Sequence, residues 1–308
     1  AKRLALQALE FQVHCDLFLN PTAEMADIVL PVSSPWEHEA LRLGFELSPE
    51  AQELVQLRPQ MVPRQGEARS DMWIVFELAK RLGMGELFFG GDVEKGFAHL
   101  LAPLGLDLET LRAKPEGVRV PLKHAYRKYR QTGFATQTGK AELYSELLHR
   151  HGYPAVPDFV PPAEALTERF PLTLFSANSG YFCHSQHRGI TTLRRRREEP
   201  TAELHPALAR RKGISAGDWI LVSTRKGRIR LRAALNEALA EDVVASDYGW
   251  WQPAPDIGLP GYLPDAGNPI GSSFNAIISE SERDPLSGSL ALRSFACDVE
   301  LLETTGWQ

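Results

Sequence analysis

The chain has 308 residues, 43% hydrophobic and 24% charged, with a net charge of −5, a composition with room for two globular domains. The negative balance excludes the broad basic surface that nucleic acid selects, and the lack of any apolar run of about 18 residues excludes a transmembrane helix. Three widely spaced cysteines, Cys15, Cys183 and Cys297, have no zinc-ligand spacing, so a zinc site or iron–sulfur cluster held by them alone is excluded and buried free thiols are expected.

The first ninety or so residues read as α/β. Phe11–Cys15 is a short strand that runs into Asp16. Asn20 before Pro21 marks a capped helix start, and Ile28–Leu30, stopped by Pro31, has the compact apolar character of a buried strand. Ser70 or Asp71 caps a second helix, with Ile74, Leu78 and Leu82 on its apolar stripe and Gly83 as its stop. Strands alternating with helices suggest a parallel sheet. Helical character returns over 100–111 and 140–151, with a loop over 133–139. Pro154, Pro157, Pro161 and Pro162 then mark an extended linker and the domain boundary.

Beyond it the pattern turns to strands. Leu172–Phe175 leads into the polar loop Ser176–Arg188, and His205-Pro206 opens a short helix closed by Gly213. Gly217-Asp218 turns into the strand Trp219–Val222. The turn at Lys226-Gly227 leads into Arg228–Ala233, where Ile229, Leu231 and Ala233 alternate with arginines, as in a half-buried antiparallel strand. Val243–Ser246 is another strand, and short strands with glycine turns argue for a small barrel. The run Arg194–Arg197 reads as a solvated charged segment, or alternatively as the basic lining of an anion channel. His184 and His187 form an i, i+3 pair with no third metal ligand nearby.

Three segments in order carry a family resemblance. Asp16-Leu-Phe-Leu-Asn-Pro-Thr-Ala-Glu-Met-Ala-Asp-Ile-Val-Leu-Pro31, the acidic block Trp36-Glu-His-Glu39, and Gly66-Glu-Ala-Arg-Ser-Asp-Met-Trp73 resemble the molybdopterin oxidoreductases of the dimethyl-sulfoxide-reductase superfamily. Ser176–Arg188, the stretch from Glu203 to Ile229, and Ser272–Ile278 followed by Asp284 resemble the C-terminal domain of the same enzymes. The resemblance implies an α/β Rossmann-like partial domain over 1–95, a mostly helical insertion and linker over 96–162, and a mainly β, double-psi-like barrel over 163–308 that binds the molybdopterin dinucleotide.

It also implies the ligand, molybdopterin guanine dinucleotide with molybdenum or tungsten, held where two halves of the polypeptide converge. Asp16 is the candidate acceptor for a guanine N–H edge, since a carboxylate accepts two such bonds. Thr22, at a helix start suited to phosphate, His38 and Asp71 complete the first group of cofactor contacts. Asn178, His184, Ser185, Arg188, Asn275 and Arg293 form the second, with His205 as a further neighbour, while the pair Trp250-Trp251 either walls the pterin pocket or packs at the barrel end. The chain begins at Ala1 without Met, and the resemblance implies the C-terminal part of a larger catalytic subunit. The metal's protein ligand, any iron–sulfur cluster and an iron–sulfur electron-transfer partner would then lie outside it. Its expected chemistry is two-electron oxygen-atom or hydride transfer, carried by the cofactor. The alternatives are a separate cofactor-binding subunit or a non-redox tungsten hydratase. Substrate and localisation are not readable.

Overall fold

The computed structural model describes residues 2–44, 47–123, 125–162, 165–265, 269–279, 283–290 and 292–302. The chain divides into two compact units, Ala1–Asp158 and Phe159–Gln308.

In the first unit a short helix α1 (Lys2–Gln7) precedes β1 (Val13–Asp16), which pairs in parallel with β2 (Ile28–Pro31). Pro31 ends β2 because it has no N–H for a further ladder bond. Among the described residues of this unit it is the only parallel pair of strands; Val32 and Arg69 add one isolated parallel bridge. A second sheet of β3 (Ala40–Arg42), β4 (Leu54–Arg58) and β5 (Val118–Arg119) is antiparallel, a feature that the α/β pattern did not announce. Helix α2 (Pro49–Gln52) enters β4, whose Val55 and Leu57 pack on Phe97 and Leu101 of α4 (Val93–Leu101) and on Leu108 and Leu111 of α5 (Leu108–Arg112). The expected helix over 100–111 is broken because Pro103 cannot continue it, and Gly105 turns the chain with φ +67°. The short helices α6 (Tyr129–Thr132) and α7 (Glu146–Arg150) flank the loop read over 133–139.

Helix α3 (Asp71–Arg81) forms where the caps demand it, with the Ser70 hydroxyl accepting from the Trp73 N–H. Its buried side is not the one expected. Phe76 and Ala79 are buried, with Phe76 packed against Phe88 and Phe89, whereas Leu78 and Leu82 are exposed. Ile28 and Val29 of β2 are exposed as well. Apolar periodicity reports that a face is to be covered, not which described segment covers it.

The second unit is a closed six-stranded barrel. Strands β6 (Leu172–Ser176), β7 (Thr201–Leu204), β8 (Trp219–Thr224), β9 (Arg228–Leu235), β10 (Val243–Ser246) and β11 (Arg293–Leu301) close in the order β10–β6–β11–β8–β9–β7. The pairs β6·β10 and β7·β9 are parallel and the other four antiparallel. On β9 the sequence alternation is realised: Ile229, Leu231 and Ala233 are buried, while the guanidiniums of Arg230 and Arg232 lie over the Trp219 ring. Those buried residues join Leu174, Leu204, Ile220, Val222, Val244 and Val299 in one core. Helix α8 (Thr191–Arg194) lies between β6 and β7, and α9 (Pro206–Arg211) between β7 and β8.

Strand directions sort the loops. β6, β8 and β10 run one way and β7, β9 and β11 the other, so the segments after β6, β8 and β10 all leave from one end of the barrel. The segment that starts at His205 lies at the opposite end.

Of the three thiols, only Cys297 is buried; Cys15 and Cys183 are exposed, against expectation. Cys15 sits on the open β1–β2 pair, and Cys183 lies in an exposed loop. Burial pushes the Cys297 thiol up to about 12, so it stays protonated and inert where an ordinary thiol ionises. A thiol reagent at about pH 8 is expected to modify Cys183 rapidly, Cys15 more slowly because burial and then the Asp71 charge raise its pKa, and Cys297 only after unfolding. Labelled peptides identified by mass spectrometry check this, and rapid native labelling of Cys297 would contradict it.

Candidate functional site

In the first unit, the sequence-predicted residues gather at the carboxyl edge of β1 and β2. In α/β sheets this edge is where ligands bind, because strand ends and helix N-termini leave backbone groups free there. Asp16 is the last residue of β1 and pairs with Pro31, the last of β2. Its Oδ1 accepts from the N–H groups of Leu17 (2.6 Å) and Phe18 (3.3 Å), and its Oδ2 accepts from Asn20 Nδ2 (2.7 Å). His14 Nε2 lies 3.6 Å from the same carboxylate, which is 36% exposed and so keeps a face toward solvent.

Asn20 caps the next turn as the sequence suggests. Its Oδ1 accepts from the N–H groups of Thr22 and Ala23. The turn that follows is a single 3-10 turn, Ala23–Met25, rather than an α-helix. Thr22 is half-buried, and its hydroxyl makes no hydrogen bond among the described residues.

Beyond β2, Val32 pairs with Arg69, which brings Ser33 and the start of α3 together. His38 Nδ1 is hydrogen-bonded to Ser33 Oγ at 2.9 Å. Burial, and then the charge of Arg58, lower the His38 pKa against the opposing pull of Asp71 and Glu37, so its imidazole is neutral at pH 7. Asp71 is exposed and is the first helical residue of α3; Ser70, not Asp71, is the cap. The Asp71 charge reaches both His38 and Cys15, which places these three groups in one neighbourhood.

The two carboxylates of the Glu-His-Glu block are committed elsewhere. Glu37 closes a capping box with Ser34 and accepts from the Gln65 N–H at 2.7 Å. Hydrogen bonds from the Ser34 hydroxyl and from the backbone hold its pKa below the usual carboxylate range. Glu39 is tied to Arg112, which also bonds Glu94. The block therefore offers one ring, that of His38, to a ligand.

In the second unit, Asn178, His184, Ser185, Arg188, Asn275 and Arg293 all belong to segments at one end of the barrel. Asn178 follows β6, and its Oδ1 accepts from the Tyr248 hydroxyl at 2.7 Å. The side chains of Cys183, His184, Ser185, Gln186 and His187 are exposed. His184 (φ +50°) and His187 (φ +73°) take left-handed backbone conformations, costly for residues with a Cβ. The N–H groups of His184, Ser185 and His187 donate to nothing among the described residues. Backbone N–H groups left free in this way can bind an anion.

Arg188 itself is only 2% exposed. Its guanidinium donates to the carbonyls of His184 (2.5 Å), Gln186 (3.4 Å) and Tyr248 (2.5 Å), so it supports the loop from inside rather than facing solvent. Asn275 is exposed in the 3-10 turn Phe274–Ala276. That turn is held to the β8–β9 hairpin, where Thr224 Oγ1 donates to the Ile277 carbonyl at 2.6 Å. Gly227 is needed there, since a Cβ would meet the Ala276 carbonyl oxygen at 2.8 Å. Arg293 opens β11, exposed, at a bulge in its pairing with β6. Residues 280–282, between Asn275 and Asp284, lie outside the described residues.

Three readings change. His205 caps α9 through Nδ1, which accepts from the Ala207 N–H, at the end of the barrel away from His184. Trp250 is core, 1% exposed, while Trp251 donates from Nε1 to the Ser185 carbonyl. Arg194 is fully buried, and Arg197 is paired with buried Asp247 at 2.8 Å, so the arginine run is not a uniformly solvated segment. Charge runs carry no sign of which members turn inward. Tyr248 was missed as a support of the site, and the particular bonds by which Trp251 and Arg194 support it were not foreseen, because their partners lie about sixty residues away along the chain. A cavity of about 480 Å³ on the barrel, lined in part by Arg169, Arg225, Arg228, Asp298 and Glu300, contains none of the site candidates.

Comparison with known proteins places both units in known families. Residues 1–81 match the family model for molybdopterin oxidoreductase, and residues 172–296 match that for the molydopterin dinucleotide binding domain. The chain is 29% identical to acetylene hydratase of Syntrophotalea acetylenica, over 80% of this chain and 35% of that protein. It is 28% identical to trimethylamine-N-oxide reductase of Haemophilus influenzae, over 75% and 31%. The solved structure of acetylene hydratase from Pelobacter acetylenicus superposes with a TM-score of 0.79 and 26% identity, covering 96% of this chain and 41% of that one. The chain spans about a third of the length of the curated relatives it matches. Two family models in the right order, on a unit with an open strand edge and on a closed barrel, assign the chain to the molybdopterin oxidoreductase family, with a molydopterin dinucleotide binding domain on the barrel.

Proposed function

We propose that this chain is the cofactor-binding portion of a molybdenum or tungsten enzyme carrying bis-molybdopterin guanine dinucleotide. The observation that carries the reading is the exposed loop of the dinucleotide-binding barrel, whose His184, Ser185 and His187 amides are free for an anionic ligand. When bound, the cofactor supplies two-electron redox chemistry at its metal, while the protein binds and orients it.

In this reading residues 1–95 form a Rossmann-like portion, 96–162 an insertion and linker, and 163–308 the barrel. Asp16 offers its solvent-facing carboxylate to the guanine N–H edge. Thr22, His38 and Asp71 line the same strand edge, with His38 neutral and therefore able to donate or accept one hydrogen bond. On the barrel, Asn178, His184, Ser185, Asn275 and Arg293 meet the second set of polar atoms, and Arg188 holds their loop. The exposed apolar groups Ile28, Val29, Leu78 and Leu82 favour a further part of the same enzyme as a partner, because apolar surface of this extent is otherwise left in water. An iron–sulfur electron-transfer subunit is the proposed redox partner. The likeness to acetylene hydratase favours a second reading, a non-redox hydratase using the same clamp. A metal-centred redox titration during turnover separates the two.

The test is the content of the purified protein. Wild type is expected to release guanine nucleotide on denaturation and to carry molybdenum or tungsten. Asp16→Ala is expected to reduce the nucleotide about tenfold, equivalent to roughly 1.4 kcal/mol, while leaving the barrel folded. Wild-type protein free of both nucleotide and metal would overturn the proposal.

A further inference from the structure

The exposed loop through His184 rests on two buried cations. We propose that a stack of Arg188, Trp250 and Arg194 is the positioning device that fixes this loop in its ligand-presenting conformation; the ligand's identity rests on the cofactor reading above. The Trp250 ring, 1% exposed, has the Arg188 guanidinium 5.0 Å from its centroid and that of Arg194 at 4.8 Å. Phe182 and Tyr262, each edge-on to Trp250, add further ring contacts at 4.6 Å from Arg188 and 5.7 Å from Arg194. The electron-rich ring faces compensate part of the cost of burying each charge.

Among the described residues, neither guanidinium donates a hydrogen bond to a carboxylate. Arg188 is spent on the carbonyls of His184, Gln186 and Tyr248. Arg194 donates to the carbonyls of Arg188 (3.2 Å), Gln252 (2.9 Å), Pro260 (3.1 Å) and Glu198 (2.8 Å). The pair thus fastens the loop over 184–188 to the segment over 248–260 and to the end of the arginine run. Burial lowers the pKa of both, that of Arg188 to about 10, so Arg188 remains charged at neutral pH.

Cross-linking of this kind requires the fork. A planar guanidinium reaches several carbonyls in fixed directions, whereas a lysine ammonium is a point donor on a flexible stem. The fork also answers a local need. The left-handed backbone of His184 and His187 costs free energy, and the Arg188 bond to the His184 carbonyl holds one of those residues directly. Two further contacts press from the same side: the Trp251 Nε1 bond to the Ser185 carbonyl at 3.2 Å, and the close approach of Gly249. A Cβ at Gly249 would lie 2.8 Å from the His184 carbonyl oxygen. Arg188, Trp250 and Arg194 therefore act through the loop and need not touch the ligand.

Hydrogen exchange on the cofactor-loaded protein, read by mass spectrometry, tests this. Arg188→Gln is expected to speed exchange of the Gln186 amide, which donates to the Cys183 carbonyl within 183–187, by about tenfold or more, while β8 and β9 keep their wild-type protection. Arg188→Lys, which keeps the charge and loses the fork, is expected to behave as Arg188→Gln does. Gly249→Ala leaves both guanidiniums in place and displaces the loop; it is expected to loosen 183–187 in the same way, and it stands in if Arg188→Gln does not fold. Wild-type exchange in Arg188→Lys or in Gly249→Ala, or a rise spread evenly over the barrel in Arg188→Gln, would overturn the proposal. Nucleotide content measured alongside keeps the two ideas apart. A wild type without guanine nucleotide sinks the cofactor reading, while the exchange pattern still decides the stack.

Discussion

Asp247→Ala is expected to cost the barrel about 3–5 kcal/mol, the range for stripping a buried ion pair of one partner. Asp247 is 3% exposed, and its Oδ2 accepts from Arg197 Nε, from the Thr201 N–H and from the Thr201 hydroxyl. It also supplies the largest favourable charge acting on Arg188. Its removal leaves Arg188 and Arg197 without their nearest anion and strands the N–H of β7 that enters the barrel. Because β7 pairs with both β9 and β10, the loss is expected as a lower urea midpoint for the whole barrel, not as local fraying. A midpoint within experimental scatter of wild type would show that water or relaxation compensates the charge.

The second large effect is in the core. Leu231→Ala is expected to destabilise the barrel by about 2–5 kcal/mol through lost transfer free energy and the cavity left behind. Leu231 is fully buried on β9, directly opposite Ile220 of β8. A closed barrel has no free edge to shift inward, so the cavity is expected to persist. Faster exchange of the β8 and β9 amides reports the loss. Arg228, exposed at the start of the same strand, is the control: Arg228→Ala is expected to leave those amides unchanged.

Local chemistry accounts for what was legible from the chain alone. Ser70, Asn20 and Gly213 end or begin turns because the backbone donors and acceptors they serve are their own neighbours, so their roles survive any tertiary setting. The alternation in Arg228–Ala233 is equally local: a strand with one wet face must alternate. The ordered segments through Asp16, His38, Asp71 and His184 pointed to the family for a related reason. A strand end or a loop that presents polar groups needs particular residues at fixed spacing.

Decisions made at long range were not legible. Nothing in the run Arg194–Arg197 distinguishes Arg194, which goes inside beneath Trp250, from Arg195 and Arg196, which stay outside. Likewise no periodicity could show that α3 buries Phe76 and Ala79 rather than Leu78 and Leu82. The amino-acid sequence by itself determined the barrel strands β6, β8, β9 and β10, the caps at Asn20 and Ser70, and the family. Tertiary structure alone decided which end of the barrel His205 and His184 occupy, and which arginines become internal. The physical reason is that burial of a charge is settled by carbonyls and rings contributed from remote segments, and a linear pattern does not record what those segments will bring.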